Sequence, residues 1–174
     1  MKRIGAAARP RVLAISSGGG HWVQLLRLRP ALDGCAVTFV TVSGVYRADV
    51  GDADFFVITD ATRWNKVGLA KMALQIGWIL ARVRPDVIVT TGAAPGYFAI
   101  RAGRLLGART VWLDSVANVE RLSLSGQRVG PHADLWLTQW PHLASTGDTR
   151  RDVSGSESRA MRRSSVPVYR GAVL

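Results

Sequence analysis

The stretch Val12-Leu13-Ala14-Ile15-Ser16-Ser17-Gly18-Gly19-Gly20-His21-Trp22 constrains this chain more than any other. Four apolar residues suited to a buried strand run into two hydroxyls and three glycines. The helical spacing of Trp22-Val23-Gln24-Leu25-Leu26-Arg27-Leu28 follows. A strand, a glycine loop and a helix start make an α/β unit. Backbone N–H groups at such a loop can approach a ligand closely, and the helix dipole adds positive potential, so the matching guest is a phosphate or another anion. Neither common nucleotide fingerprint is present. The glycines lack the G-x-G-x-x-G spacing, and no Gly-Lys-Ser/Thr follows as a P-loop requires.

Further units of the same kind come along the chain. A helix is expected from about His21 to Leu32, stopped by Asp33-Gly34, and Cys35 to Val42 reads as a β-branched strand. A dinucleotide site wants a carboxylate at the end of that strand; Ser43-Gly44 stands there instead. Asp54 to Ile58 is a short strand, and Asn65 to Arg84 is the longest helical stretch, about 30 Å at the usual rise. Val87-Ile88-Val89-Thr90-Thr91 leads into a second glycine loop, Gly92-Ala93-Ala94-Pro95-Gly96, and a helix to about Leu106. Arg109 to Leu113 and Leu135 to Trp140 complete the strands, with Trp136 and Trp140 on one face of the last. Repeated strand, loop and helix units imply a Rossmann-like parallel sheet with helices on both faces. In such sheets the loops after the strand C-termini share one edge, so Ser16 to His21, Gly92 to Gly96 and Asp114 to Arg121 should converge on one crevice.

The 174 residues, 48% of them apolar, suit one domain of ordinary size. We divide the chain into a Rossmann-like domain over 11–144, a Ser/Arg/Gly/Asp-rich loop or insertion over 145–165, and a C-terminal segment over 166–174. The excess of 23 Lys and Arg over 12 Asp and Glu, a formal charge of +11, favours anionic partners. It fits nucleic acid, acidic headgroups or phosphorylated substrates, and equally a generally basic surface. Cys35 is the one cysteine, which excludes an internal disulfide or a cysteine-based zinc site. Met1 to Pro10 has no apolar run and reads as neither signal peptide nor membrane span, so membrane contact is expected to be peripheral. In the 65–84 helix the polar positions Lys71, Gln75 and Arg82 form one narrow stripe that includes Trp78. A helix so apolar elsewhere is either packed on both sides or rests on a membrane with Trp78 at the interface and the charges toward headgroups.

Set side by side, the segments 16–25, 84–96, 106–115, 121–126 and 133–140 resemble the acceptor-side subunits of split GT-B glycosyltransferases. These are the PssD and CpsF type proteins of exopolysaccharide assembly, similar to the membrane-recruiting subunit of the dolichol-linked chitobiose synthase. More distantly the chain resembles the N-terminal domain of MurG, whose first glycine loop also ends in Gly-Gly-His. The resemblance covers about 11–144 and the run 167–173. It implies half of a two-subunit transferase at the cytoplasmic face of the plasma membrane. This half would hold a lipid-pyrophosphate-linked saccharide acceptor, and a separate partner subunit would hold the UDP-sugar donor. It also implies no cofactor bound by this chain and little activity without the partner; the residues themselves show no metal-ligand cluster and no nucleic-acid-binding motif, so neither a metal nor nucleic acid is expected.

An inverting sugar transfer needs a base for the acceptor hydroxyl and positive or dipolar groups for phosphates. His21, Asp114 and Glu120 are the candidate bases. His21 leads the three, although a histidine there can also simply cap and pack the loop, and Asp114 or Glu120 can serve as a helix cap or a partner of Arg121. Ser16, Ser17, Gly18, Gly19, Gly20, Gly92, Ala93, Ala94, Pro95, Gly96 and Arg121 are the expected phosphate and acceptor contacts. Asn118 and Ser123 either orient sugar hydroxyls or cap the loop. His132 and His142 read as surface or packing residues. The rival functional class is a basic Rossmann-like module for a free nucleotide or nucleic acid, without transferase activity; a third is a subunit that only recruits a transferase.

Overall fold

The computed structural model describes residues 8–144 and 166–173. Its centre is one sheet of seven parallel strands in the order β3-β2-β1-β4-β5-β6-β7. The strands are β1 (Arg11–Ile15), β2 (Ala36–Thr41), β3 (Asp54–Val57), β4 (Val87–Thr90), β5 (Arg109–Leu113), β6 (Leu135–Thr138) and β7 (Val168–Tyr169). The helices are α1 (Gly20–Arg27), α2 (Lys66–Val83), α3 (Ala93–Leu105) and α4 (Leu124–Val129). This is the expected Rossmann-like α/β arrangement.

Both faces of the sheet are covered, and alternation along β1 shows it. Leu13 and Ile15 belong to the core shared with Met72, Ile76 and Leu80 of α2 and Ile100 of α3. Val12 and Ala14 belong to the opposite core, with Trp22 and Leu25 of α1 and Phe39 of β2. Strands buried on both faces read as continuous apolar runs, as these do. The strand order reverses between β1 and β4, which pair in register from Val12↔Val87 to Ile15↔Thr90. Loops leaving neighbouring strands at such a reversal go to opposite sides and open a crevice. Here those are the two glycine loops.

The first helix is shorter than its apolar spacing predicts. α1 ends at Arg27, and Arg29–Leu32 forms a separate 3₁₀ turn with Pro30 in its first turn. Proline has no N–H for the helix ladder and its ring crowds the carbonyl four residues back, so the helix cannot run through to Leu32. α2 matches its expected span: Asn65 caps it by accepting from Gly68 N at 2.8 Å, and Arg84 closes it at φ 48°. Trp140 lies beyond β6, not on its face with Trp136; it is half-buried, and its Nε1 donates to the Val116 carbonyl at 2.8 Å. The polar stretch expected over 145–165 lies outside the described residues. Val168 and Tyr169 after it pair with Leu137 and Thr138, extending the same sheet.

Candidate functional site

The two glycine loops are bonded to each other through one histidine and one threonine. His21 Nδ1 lies 2.7 Å from the Thr91 carbonyl oxygen, and Thr91 Oγ1 donates to the His21 carbonyl at 2.7 Å. A carbonyl can only accept, so Nδ1 carries the proton and the neutral ring keeps its lone pair on Nε2. The ring is half-buried. It packs against Gly92, where a Cβ would come 3.2 Å from His21 Cε1. Gly92 sits at φ 116°, and Ala93 beside it at φ 62°. A non-glycine residue in the left-handed region is a local strain of order 1–3 kcal/mol, and such strain collects at working sites. This second loop therefore holds a costly conformation where it meets the His21 ring.

The first loop is organised by residues outside the glycine run. Ser16 is fully buried, and its Oγ donates to the Ser17 carbonyl at 2.9 Å. Gly19, at φ 63°, donates its N–H to the Tyr46 hydroxyl at 2.9 Å. Tyr46 stacks on Trp22, with ring centroids 5.1 Å apart, and Trp22 Nε1 donates to Asp49 at 2.8 Å. Tyr46 and Asp49 come from the 3₁₀ segment Gly44–Val50, to which sequence reading gave no part in the site. Gly18 faces the same tyrosine, since a Cβ there would meet its hydroxyl at 3.0 Å. The Gly19 amide, expected to face a phosphate, is thus engaged by a neutral hydroxyl.

The third loop is built on Asp114. The residue is 2% exposed; one carboxylate oxygen accepts from Ser115 N at 3.0 Å and Asn118 Nδ2 at 2.7 Å, and the other from Ser123 N at 3.1 Å. Ser123 Oγ accepts from Gly126 N at 2.9 Å and caps α4. A Cβ at Gly126 would stand 2.6 Å from Asp114 Oδ2, so only glycine lets α4 close over the carboxylate. Asp114, Asn118 and Ser123 are therefore joined into one loop anchor. Glu120 and Arg121 are exposed on the same loop, with no contact to that carboxylate. His142 pins the loop from outside, its Nε2 2.6 Å from the Val119 carbonyl.

A buried polar network links this third loop to the first helix. Gln139, 2% exposed, donates through Nε2 to the Asp114 carbonyl at 2.9 Å and to Gln24 Oε1 at 3.2 Å. Gln24 in turn lies 3.4 Å from Ser115 Oγ, and Gln139 Oε1 accepts from Val173 N at 2.8 Å. Two buried amides are costly unless their donors and acceptors are filled, and here each is. The three loop groups accordingly share the C-terminal edge of the sheet, with Nε2 of His21 among them. Pro95 and Gly96 are buried in the first turn of α3, behind the loop.

The stripe expected on α2 is only partly exposed. Lys71, Trp78 and Arg82 face outward, Trp78 at 58%, with the Arg82 guanidinium 5.8 Å from the Trp78 ring. Gln75 does not join them: its Oε1 accepts from Thr59 N at 2.8 Å, filling a main-chain donor beyond β3. Exposed Trp64, Val67 and Leu74 take its place, at 81%, 82% and 76%. Lys66 and Lys71 on α2, Arg101 and Arg104 on α3 and Arg128 on α4 make this helical layer basic, and none of the three helices carries an Asp or Glu. No helix among the described residues is long and apolar enough to cross a membrane. Nor is any group of three or more His, Cys, Asp or Glu among them placed to hold a metal ion.

A family model described as "Oligosaccharide biosynthesis protein Alg14 like" matches residues 65–155. The chain is 27% identical over 169 residues to the UDP-N-acetylglucosamine transferase subunit ALG14 of Yarrowia lipolytica, covering 79% of this chain and 76% of that one. The subunit of the same name from Eremothecium gossypii is 36% identical over 90 residues, covering 48% of this chain and 37% of that one. Among solved structures, Acinetobacter baumannii MurG superposes with a TM-score of 0.65 at 15% identity, over 80% of this chain but only 44% of that one. That last likeness is one of fold, and the chain spans less than half of the MurG length.

Proposed function

The chain belongs to the Alg14-like family of oligosaccharide biosynthesis proteins, and on that premise we propose that it is the acceptor-binding, membrane-recruiting subunit of a two-subunit glycosyltransferase. The partner subunit carries the donor, a UDP-sugar, with UDP-N-acetylglucosamine favoured by the names of the relatives. The acceptor is a saccharide on a lipid pyrophosphate, and the product feeds surface polysaccharide assembly of the exopolysaccharide or capsule kind, as in PssD and CpsF type systems. The observation that carries the reading is the His21–Thr91 clamp at the strand-order reversal, which leaves Nε2 of His21 unprotonated in the neutral ring.

In this reading His21 is the base. The acceptor hydroxyl oxygen attacks the anomeric carbon of the donor sugar, its proton passes to His21 Nε2, and UDP leaves with the electrons of the breaking C–O bond. Inversion follows from that single displacement. Glu120 and Arg121 stand exposed on the third loop, where they can meet acceptor or partner. Asp114 keeps that loop in shape through its three accepted hydrogen bonds. Membrane contact is peripheral, on the cytoplasmic face of the plasma membrane, through Trp64, Val67, Leu74 and Trp78 with Lys71 and Arg82 toward acidic headgroups.

Over a nucleic-acid or free-nucleotide module, this reading has the support of the family and of a site that lacks both nucleotide fingerprints. The test is co-expression with a small donor-binding subunit, followed by incubation with membranes and labelled UDP-N-acetylglucosamine. Labelled glycolipid is expected, and His21→Ala should reduce its rate by roughly 10²–10⁴ while the complex still forms. Full activity in the His21→Ala complex points instead to a subunit that only recruits. Absence of both complex and glycolipid with any such partner removes the proposal.

A further inference from the structure

We propose that the groove between α2, α3 and α4 seats the first isoprene units of a prenyl diphosphate, with Arg63 and Arg128 at its rim taking the diphosphate. This inference rests on the lipid-linked acceptor proposed above and names where its lipid leaves the site. The groove has a volume of about 330 Å³ and walls formed by Leu69 of α2, Ala94, Tyr97 and Phe98 of α3, and Leu124 of α4. That is the size of a small ligand pocket, ~300 Å³ at the lower end of the usual range, enough for the head of an isoprenoid and not for a long chain.

Three features select this occupant over others. The walls are apolar, and the Tyr97 and Phe98 rings stand edge to face at 5.5 Å, giving a firm aromatic lining. The rim is cationic: Arg63 and Arg128 are exposed, neither pairs with a carboxylate among the described residues, and the surrounding helices carry no acid. An apolar slot under two unpaired guanidiniums is complementary to a ligand with an apolar tail and a polyanionic head. The third feature is continuity. Ala94 belongs both to the groove wall and to the glycine loop that follows Thr91, the residue bonded to His21, so the groove adjoins that loop. At the other side, the Arg63 guanidinium lies 4.7 Å from the ring of exposed Trp64, which precedes α2 and its exposed Val67. The remaining lipid therefore has a path from the groove onto those side chains. Leu124 lines the groove and is 63% exposed, so its side chain is accessible to a bound tail.

The experiment uses the purified chain and geranylgeranyl diphosphate below its micelle concentration, with inorganic pyrophosphate as comparison, read by calorimetry. Geranylgeranyl diphosphate should bind at least tenfold more tightly than pyrophosphate. Leu124→Glu should weaken it tenfold or more with no effect on pyrophosphate, and Arg128→Ala should weaken both. Leu105→Glu, on a leucine 88% exposed at the far end of α3 and outside the groove, should change neither. Leu124→Ser repeats the test if the glutamate variant melts early. The proposal is overturned if geranylgeranyl diphosphate binds no better than pyrophosphate, or if Leu124→Glu and Arg128→Ala leave its affinity intact. The transferase reading fails separately: prenyl diphosphate binding with no sugar transfer in the reconstituted complex sinks that reading and leaves the groove. Transfer with an unchanged KM for the lipid acceptor in Leu124→Glu sinks the groove and leaves the reading.

Discussion

Replacing Asp114 by alanine separates an anchor from a base, because the two roles predict opposite pairs of stability and activity. The carboxylate is 2% exposed and accepts from Ser115 N, Asn118 Nδ2 and Ser123 N at 3.0, 2.7 and 3.1 Å. Alanine leaves all three donors without a partner. Asn118 is half-buried and can turn to water, which leaves two main-chain amides to count. An orphaned buried donor costs about 1–3 kcal/mol. Relief from holding a carboxylate out of water returns part of that, so the net loss should be about 3 kcal/mol. At roughly 2–4 °C per kcal/mol for a domain of this size, Tm should fall by roughly 6–12 °C. Asp114→Asn keeps one accepting oxygen and should lose about half as much. The measurement is calorimetric melting together with urea titration, and sugar transfer by the reconstituted complex at a temperature where both proteins are folded. Once folded, the alanine variant should lose activity only as far as its third loop loosens. A Tm within about 2 °C of the parent, with transfer down a thousandfold, would refute the anchor and return Asp114 to the role of base.

Gly92→Ala should disturb the glycine loops, its Cβ meeting the core only at an ordinary 3.6 Å contact with Trp112. At φ 116° any side chain is strained, and its Cβ would press on the His21 ring at 3.2 Å, so a loss of about 1–3 kcal/mol is expected. Urea denaturation measures it, and an unchanged midpoint would show that the loop has another conformation of equal energy. Arg11 and Asp86 provide a pH test at the opposite edge of the sheet. The side-chain hydrogen bond from Arg11, at 3.0 Å, together with the Arg11 main-chain N–H at 2.8 Å, holds the Asp86 carboxyl below its ordinary range. A carboxyl depressed by folding contributes stability above its unfolded pKa, and that contribution disappears as pH falls through the folded value. Both partners are about half exposed, so the gain is small and weakened by salt. The stability gap between parent and Asp86→Asn should therefore be present at neutral pH and close below about pH 4; a gap that persists in acid contradicts the assignment.

Local sequence determined most of the elements, though neither the short α4 nor the two-residue β7 is legible in it. β-branched apolar runs can only be buried strands, Asn65 and Arg84 bound the long helix where its apolar spacing begins and ends, and three glycines after a strand make a loop open to a ligand. The parallel sheet and its ligand edge follow from the alternation of these units, because parallel strands need crossovers and the crossovers put every strand-to-helix loop at one end. Pro30 is an exception within reach of the same reading: it ends α1 early by removing a donor, and only the longer apolar spacing hid it.

The tertiary structure decided what each polar side chain does. Gln75 shares the spacing of Lys71 and Arg82, yet it turns inward to fill the Thr59 amide, 16 residues away. Tyr46 reaches Gly19 across 27 residues, and His21 finds the Thr91 carbonyl across 70. Asp114 reads from the sequence as a base, a helix cap or a partner of Arg121, and the fold encloses it in its own loop. Periodicity reports how often a residue is buried, because burial repeats with the geometry of the helix or strand. A hydrogen bond depends on which orphaned donor or acceptor the fold brings within about 3 Å, and that follows from strand order and loop closure, which no local pattern contains.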